Sequence, residues 1–199
     1  ATGNKDVITS EHMKAMRDKI GAVLSSAGAV LEQGEQPGSN AICLVTPLGE
    51  DASSAIARRQ LPVARSLALE TFAGFDRRRV LMRHPGLDAN VLAQARQALG
   101  ADGVPVEVIN DSPGFIAQRV LASIVNLGCE IAQRRIVDPA TLDRAVQLAL
   151  GYPHGPLGFG DQYGAMNIQQ ILQALHDLYQ EPRYRLSPWL RRRVQLGLP

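Results

Sequence analysis

The 199-residue sequence predicts an α/β part followed by an all-α part: a truncated parallel sheet covered by helices, then a helical domain. Three observations carry this. Between residues 10 and 109, helical periodicities alternate with short, continuous apolar runs of the kind that form buried parallel strands. After residue 110 the strand signals stop. From there on, helical stripes are punctuated by Asp-Pro or Ser-Pro entries and Gly exits.

The elements follow in order. "SEHMKAMRDKIGAVLSSAG" reads as a helix, with Ser10 as cap and Met13, Met16, Ile20, Val23 and Leu24 on one side. "AVLE" (29–32) reads as a strand and "GEQPGSN" (34–40) as a turn. "AICLV" suits a buried strand, "EDASSAIARR" a helix, and "SLALE" and "RVLMR" two further strands. "LDANVLAQARQALG" is a helix capped by Asp88 and stopped by Gly100, and "VPVEVI" is one more strand. The domain boundary is expected at 109/110. There "DSPGFIAQRV" opens a long helix, capped by Asp111 or Ser112 and entered at Pro113. Ile116, Val120, Leu121, Ile124, Leu127 and Ile131 form its expected stripe. "DPATLDRAVQLALG" repeats the design with Asp138 as cap. "YPHGPLGFGDQYG" is a Gly/Pro-dense loop with room for a turn of helix. "MNIQQILQALHDLY", with Ile168, Ile171, Leu172, Leu175 and Leu178 on one stripe, and "SPWLRRRVQLG" complete four helices.

Composition excludes several classes. Hydrophobic content of 45% and charged content of 20% are those of a globular protein, and a net charge of +2 is too small to imply nucleic acid as a partner. No apolar run approaches the ~18 residues of a membrane span. The polar start "ATGNKDVITS" shows no signal peptide and no initiator Met, which suggests a cytoplasmic chain, processed or excised. Cys43 and Cys129 lie in separate apolar segments and read as reduced, buried thiols.

The residues offer little catalytic chemistry. The G-x-G-x-x-G spacing of a dinucleotide site is absent: "GEQPG" has the wrong count and "GPLGFG" lies in the helical half. His12 and His176 fall on amphipathic helices. His84 precedes Pro-Gly as a turn residue. His154, in "GYPHGP", sits in a loop, where function concentrates. No spacing suggests a metal site. The triplets Arg77–Arg79 and Arg191–Arg193 read as solvated faces, or as landing sites for phosphates such as those of a coenzyme A tail.

In the second half, "DSPGFIAQR", "VDPATLDRAV", "LGYPHGPL" and "PRYRLSPWLRRRV" follow one another in an order that strongly resembles the C-terminal helical domain of 3-hydroxyacyl-CoA dehydrogenases. The first half resembles a shortened version of that family's Rossmann domain, without the NAD-binding strand and Gly-rich loop. The resemblance implies a reduced Rossmann-like domain (1–109) and a 6-phosphogluconate-dehydrogenase-C-terminal-like helical domain (110–199). The pattern is similar to the second half of certain long bacterial 3-hydroxyacyl- or 3-hydroxybutyryl-CoA dehydrogenases. Family catalysis uses a His base oriented by a Glu. The His opens an "HFFNP" motif, where this chain has "ETFAG", so that Glu70 stands in place of His. The orienting Glu falls at Met82, the family's Asn at Gln118, and the substrate-contacting Ser near Gly49 or Glu50.

The resemblance therefore implies a piece of an NAD-using oxidoreductase of fatty-acid-type metabolism that neither binds NAD nor carries the chemistry. Its expected partners are the N-terminal catalytic half and, through the helical domain, a second copy in a homodimer. Phe115 is expected in an interdomain core and Arg119 in a structural ion pair. An alternative makes the chain an acyl-CoA-binding accessory domain, using Arg77, Arg78, Arg79, Phe115, Gln118, Arg119 and His154. A complete dehydrogenase with unconventional residues is a third reading.

Overall fold

The computed structural model describes residues 10–32 and 36–198. The expected cap at Ser10, the side chain of His12 and part of the "GEQPGSN" turn lie outside the described residues. Among the described residues, Ser10–Phe115 form one compact unit and those from Ile116 onward the other. The division falls at 115/116 rather than at 109/110, because Phe115 is buried in the core of the first unit.

The first unit runs α1 (Ser10–Ser26), β1 (Cys43–Val45), α2 (Ala52–Arg58), β2 (Ser66–Leu69), β3 (Arg79–Arg83), α3 (Ala89–Leu99) and β4 (Val106–Asn110). The strands lie side by side in sequence order. β1 and β2 are parallel across α2, and β3 and β4 are parallel across α3. β2 and β3 are antiparallel, so the sheet is mixed and not wholly parallel as the sequence suggests. The cause is the connection: residues 70–78 form no helix, and without a crossover the chain returns alongside itself.

Alternation along β2 sends its side chains to two cores. Leu67 and Leu69 join Phe75, Leu81, Val91, Ala95, Leu99 and Val106, with Met16, Ile20, Val23 and Leu24 of α1 packed on them. Ala68 joins Val45, Ala52, Ala55, Ile56, Met82 and Phe115 beneath α2. Both faces are covered, which is why β2 reads as an unbroken apolar run. The expected strand at 29–32 does not form. Val30 is 93% exposed, and a short apolar run with neither burial nor a pairing partner gains nothing from extension.

The second unit is helical: α4 (Ala117–Gln133), α5 (Pro139–Leu150), α6 (Pro156–Tyr163), α7 (Ala165–Tyr179) and α8 (Pro188–Leu196). There are five α-helices here, because the Gly/Pro-dense segment folds as α6. Pro156 enters it, and Asp143, reaching across from α5, accepts from Leu157 N–H and Gly158 N–H at 2.8 Å each. Asp138 caps α5 through Thr141 N–H, Ser187 caps α8 through Trp189 N–H, and Gly151 and Gly197 close their helices at positive φ. Ile168, Ile171, Leu172 and Leu175 of α7 are buried as their spacing predicts, whereas Leu178 is exposed.

α4 differs from its expected stripe. It buries Gln118, Ala122, Val125, Asn126, Gly128 and Cys129 instead, and leaves Ile116, Val120 and Leu127 exposed. Small residues let the neighbouring helix approach: a Cβ on Gly128 would lie 2.5 Å from Pro156. Asn126 adds a polar clamp. It donates to Arg185 C=O at 3.0 Å and accepts from Ser187 N–H at 2.9 Å.

Candidate functional site

The residues implied for catalysis begin at the end of β2. The antiparallel register sets Ala68 opposite Met82, and Glu70 N–H donates to Val80 C=O at 2.9 Å. Directly opposed residues share a face, so Glu70 and Met82 both project from the α2 face of the sheet. Met82 is wholly buried in the α2 core, and the nearby Ser112 N–H is 3.5 Å from its sulfur. Glu70 is also buried, and its Oε1 accepts from Phe72 N–H at 2.7 Å. A thioether is a weak acceptor and no base. Where the resemblance calls for an imidazole oriented by a carboxylate, the unit thus holds a carboxylate and a methionine.

His84 does not fill the gap. It ends β3 beside the start of β2, with Nε2 3.0 Å from Ser66 C=O and Nδ1 accepting from Gly86 N–H at 3.2 Å. It is buried with both ring nitrogens engaged. Glu70 follows the opposite end of β2, about 13 Å away at the rise of an extended strand. In the second unit, His154 sets its ring edge-on to Phe159 at 5.7 Å. Gln118 is buried in α4.

The turn between β1 and α2 is where a parallel α/β unit would place a phosphate. Here carboxylates already hold that helix end. Asp51 accepts from Ser54 N–H at 2.6 Å, and Asp111 accepts from Ala52 N–H at 2.8 Å and from the Ser53 hydroxyl. Two negative groups over one short helix do not suit a dinucleotide's diphosphate. Asp111 thereby departs from its expected role. It caps α2, while α4 begins at Ala117, preceded by Ile116, which supplies no side-chain cap. Gly114 and Phe115 make the turn at positive φ.

The arginine triplets divide. Arg79 is buried, contrary to the reading that it receives phosphates. It makes two 2.7 Å bonds to the Asp102 carboxylate, donates to Leu99 C=O, and lies 4.3 Å over the Phe75 ring. The guanidinium in turn holds the Asp102 carboxyl down at about 2. Arg78 pairs with Glu107 at 3.2 Å, and Arg77 is exposed. Arg191 and Arg192 are exposed, while Arg193 stacks 3.4 Å over Trp189. Arg119 lies 5.3 Å over the Tyr179 ring, with Nη2 3.2 Å from its hydroxyl. Among the described residues no group of His, Cys, Asp and Glu is placed to hold a metal, and no helix is long and apolar enough to cross a membrane.

The fold defines a class: a four-stranded mixed α/β sheet unit followed along the chain by an all-helical unit. Residues 114–199 match the family described as 3-hydroxyacyl-CoA dehydrogenase, C-terminal domain. A probable 3-hydroxybutyryl-CoA dehydrogenase of Deinococcus radiodurans is 31% identical over 55% of this chain and 38% of its own length. The 3-hydroxyadipyl-CoA dehydrogenase of Escherichia coli is 36% identical over 49% of the chain and 21% of its own. The crystal structure of a 3-hydroxybutyryl-CoA dehydrogenase from Escherichia coli K12 aligns with a TM-score of 0.69 at 26% identity, covering 84% of this chain and 37% of that one. The chain thus spans well under half the length of these relatives.

The supporting partners Asp102, Asp143 and Asn126 escape a reading of the sequence. Each acts on a group distant along the chain, and no local pattern announces such a pairing.

Proposed function

We propose that this chain is the C-terminal portion of a 3-hydroxyacyl-CoA dehydrogenase, an enzyme that oxidises 3-hydroxyacyl-CoA to 3-oxoacyl-CoA with NAD in cytoplasmic, fatty-acid-type metabolism. The portion itself is non-catalytic. It packs its helical unit against the helical domain of the catalytic half, or against a second copy. The observation that carries this is Met82, sealed in an apolar core where the family's chemistry calls for a carboxylate, with Glu70 in the place of the base. The apolar side chains left on the surface of the helical unit support the packing role: Val120 and Leu127 on α4, and Leu148 and Leu150 on α5.

Two measurements test it together. The chain alone, given NAD and 3-hydroxybutyryl-CoA, forms no NADH. In sedimentation it associates with the catalytic half or with itself, and Leu127→Glu with Leu148→Glu abolishes that association while leaving the fold's stability within about 0.5 kcal/mol. Turnover by the chain alone, or a strict monomer that ignores the catalytic half, sinks the proposal.

Exposed Arg77 and Arg78 favour a second reading, an accessory site for acyl-CoA phosphates. Calorimetry with acetyl-CoA decides it: affinity weaker than about 1 mM, or unchanged by reversing both charges, removes it.

A further inference from the structure

The α/β unit has an open groove of about 700 Å³ along one side of α3. Its walls are Ala89, Leu92, Ala93, Arg96, Gln97, Gly100 and Ala101, and Val108 of β4 faces them. β4 is the last strand of the sheet, bonded to β3 alone among the described strands. Arg79 N–H donates to Pro105 C=O at 2.9 Å, and the β3–β4 register continues from there. The backbone groups of Pro105, Glu107 and Ile109 therefore point to β3. Those of Val106, Val108 and Asn110 point outward, because successive residues of a strand alternate.

Three outward N–H and C=O pairs, spaced two residues apart beside an apolar wall, fit one kind of occupant: an extended chain that adds as a further strand. β1, the other edge among the described strands, has only three residues. Arg96 supplies the selectivity. It is exposed, it is the one charged side chain lining the groove, and no ion pair engages it among the described residues. A second copy of β4 is a poor occupant. Pairing two such edges about a two-fold axis would bring two Arg96 guanidinium groups to the same seam.

We propose that the groove between α3 and the outer edge of β4 receives an extended peptide segment carrying an acidic side chain opposite Arg96. The segment pairs with the backbone of Val106, Val108 and Asn110 and seats its apolar side chains on Leu92 and Val108.

The test uses the full chain and a short, end-blocked peptide of alternating Thr and Val with one central Glu. Amide exchange, read by NMR, is expected to slow at least about tenfold at Val106, Val108 and Asn110 on peptide addition. The same peptide with Lys for Glu binds at least about tenfold more weakly, and Arg96→Glu reverses that preference. Val108→Pro removes one outward donor without touching the ladder to β3, and lowers affinity about tenfold. Arg96→Glu, at an exposed position, keeps the test decisive if the proline variant fails to fold. No protection at about 1 mM peptide, or equal binding of the Glu and Lys peptides, overturns the proposal. So does a chain dimer that Val108→Pro dissociates, since a second copy would then be the occupant.

Discussion

The two units treat their apolar surface in opposite ways. In the α/β unit the sheet is covered on both faces, and the large apolar side chains left exposed are Val30, Leu31 and Val63. In the helical unit Leu127, Ile136, Leu148, Leu150 and Leu196 are each at least 60% exposed. A sheet sandwiched between helices saturates its own hydrophobic demand. A bundle whose main helix buries only part of a wide apolar face and leaves Val120 and Leu127 outside does not do so, and that remainder is available to a partner. The difference teaches where each unit's value lies. The α/β unit is a self-contained scaffold, and the helical unit carries the residues that match the C-terminal domain of 3-hydroxyacyl-CoA dehydrogenases.

The largest effect should fall on the α/β unit. Arg79→Ala removes a buried guanidinium that ties β3 to Asp102, to the end of α3 and to Phe75. A loss of about 3 kcal/mol is expected in urea unfolding followed by the exchange of sheet amides. An unchanged midpoint would show that this core does not depend on its one deeply buried arginine. Asp143→Ala is the counterpart in the helical unit. It strips both caps from α6 and should cost about 1–2 kcal/mol, with amides 157 and 158 exchanging first and the sheet unaffected. If both variants destabilise both units equally, the two are one cooperative body and the contrast fails.

Acid sharpens the comparison further. The Asp102 carboxyl is lowered from 3.8 to about 2, chiefly by the Arg79 hydrogen bonds. A depressed folded-state value means stabilisation that is complete above pH 4 and is lost as pH falls through about 2. Sheet amides should therefore lose protection over that window, and Asp102→Asn should flatten the response. The smallest effect concerns thiols. Burial pushes the Cys129 thiol in α4 up to about 12, whereas Cys43 on β1 is only half-buried. A thiol reagent at pH 8 should label Cys43 and spare Cys129 until the helical unit opens. Equal labelling rates would show that α4 opens as readily as the sheet edge.

Much of the fold was legible because the signals are local. Asp88, Asp138 and Ser187 cap the helices that follow them, and Gly100, Gly151 and Gly197 end theirs. The buried stripe of α7 follows from its spacing. Asp111 looked like the same kind of cap and is not. Its carboxylate serves α2, some sixty residues earlier in the chain, and local reading cannot tell which of two helix ends a side chain will reach. The orientation of α4 was missed for a related reason: a helix apolar on several sides offers more than one stripe, and packing against α6 at Gly128 selects one. Of the candidate site, Glu70, Met82 and Gln118 were placed by resemblance of motifs. Only the strand register showed that Glu70 and Met82 share a face and that His84 lies at the far end of β2.

By itself, then, the sequence determined the kinds of element, most of their ends, the change from α/β to all-α and the family that the second half resembles. All of these rest on periodicity, turn chemistry and motif order, which are properties of neighbouring residues. Tertiary structure alone decided that β3 runs against β2, that Arg79 is an internal strut, that two aspartates occupy the mouth of α2, and which face of α4 stays exposed. Each of these is a choice among partners distant along the chain, made by close packing and by the cost of leaving a buried charge or helix end unpaired.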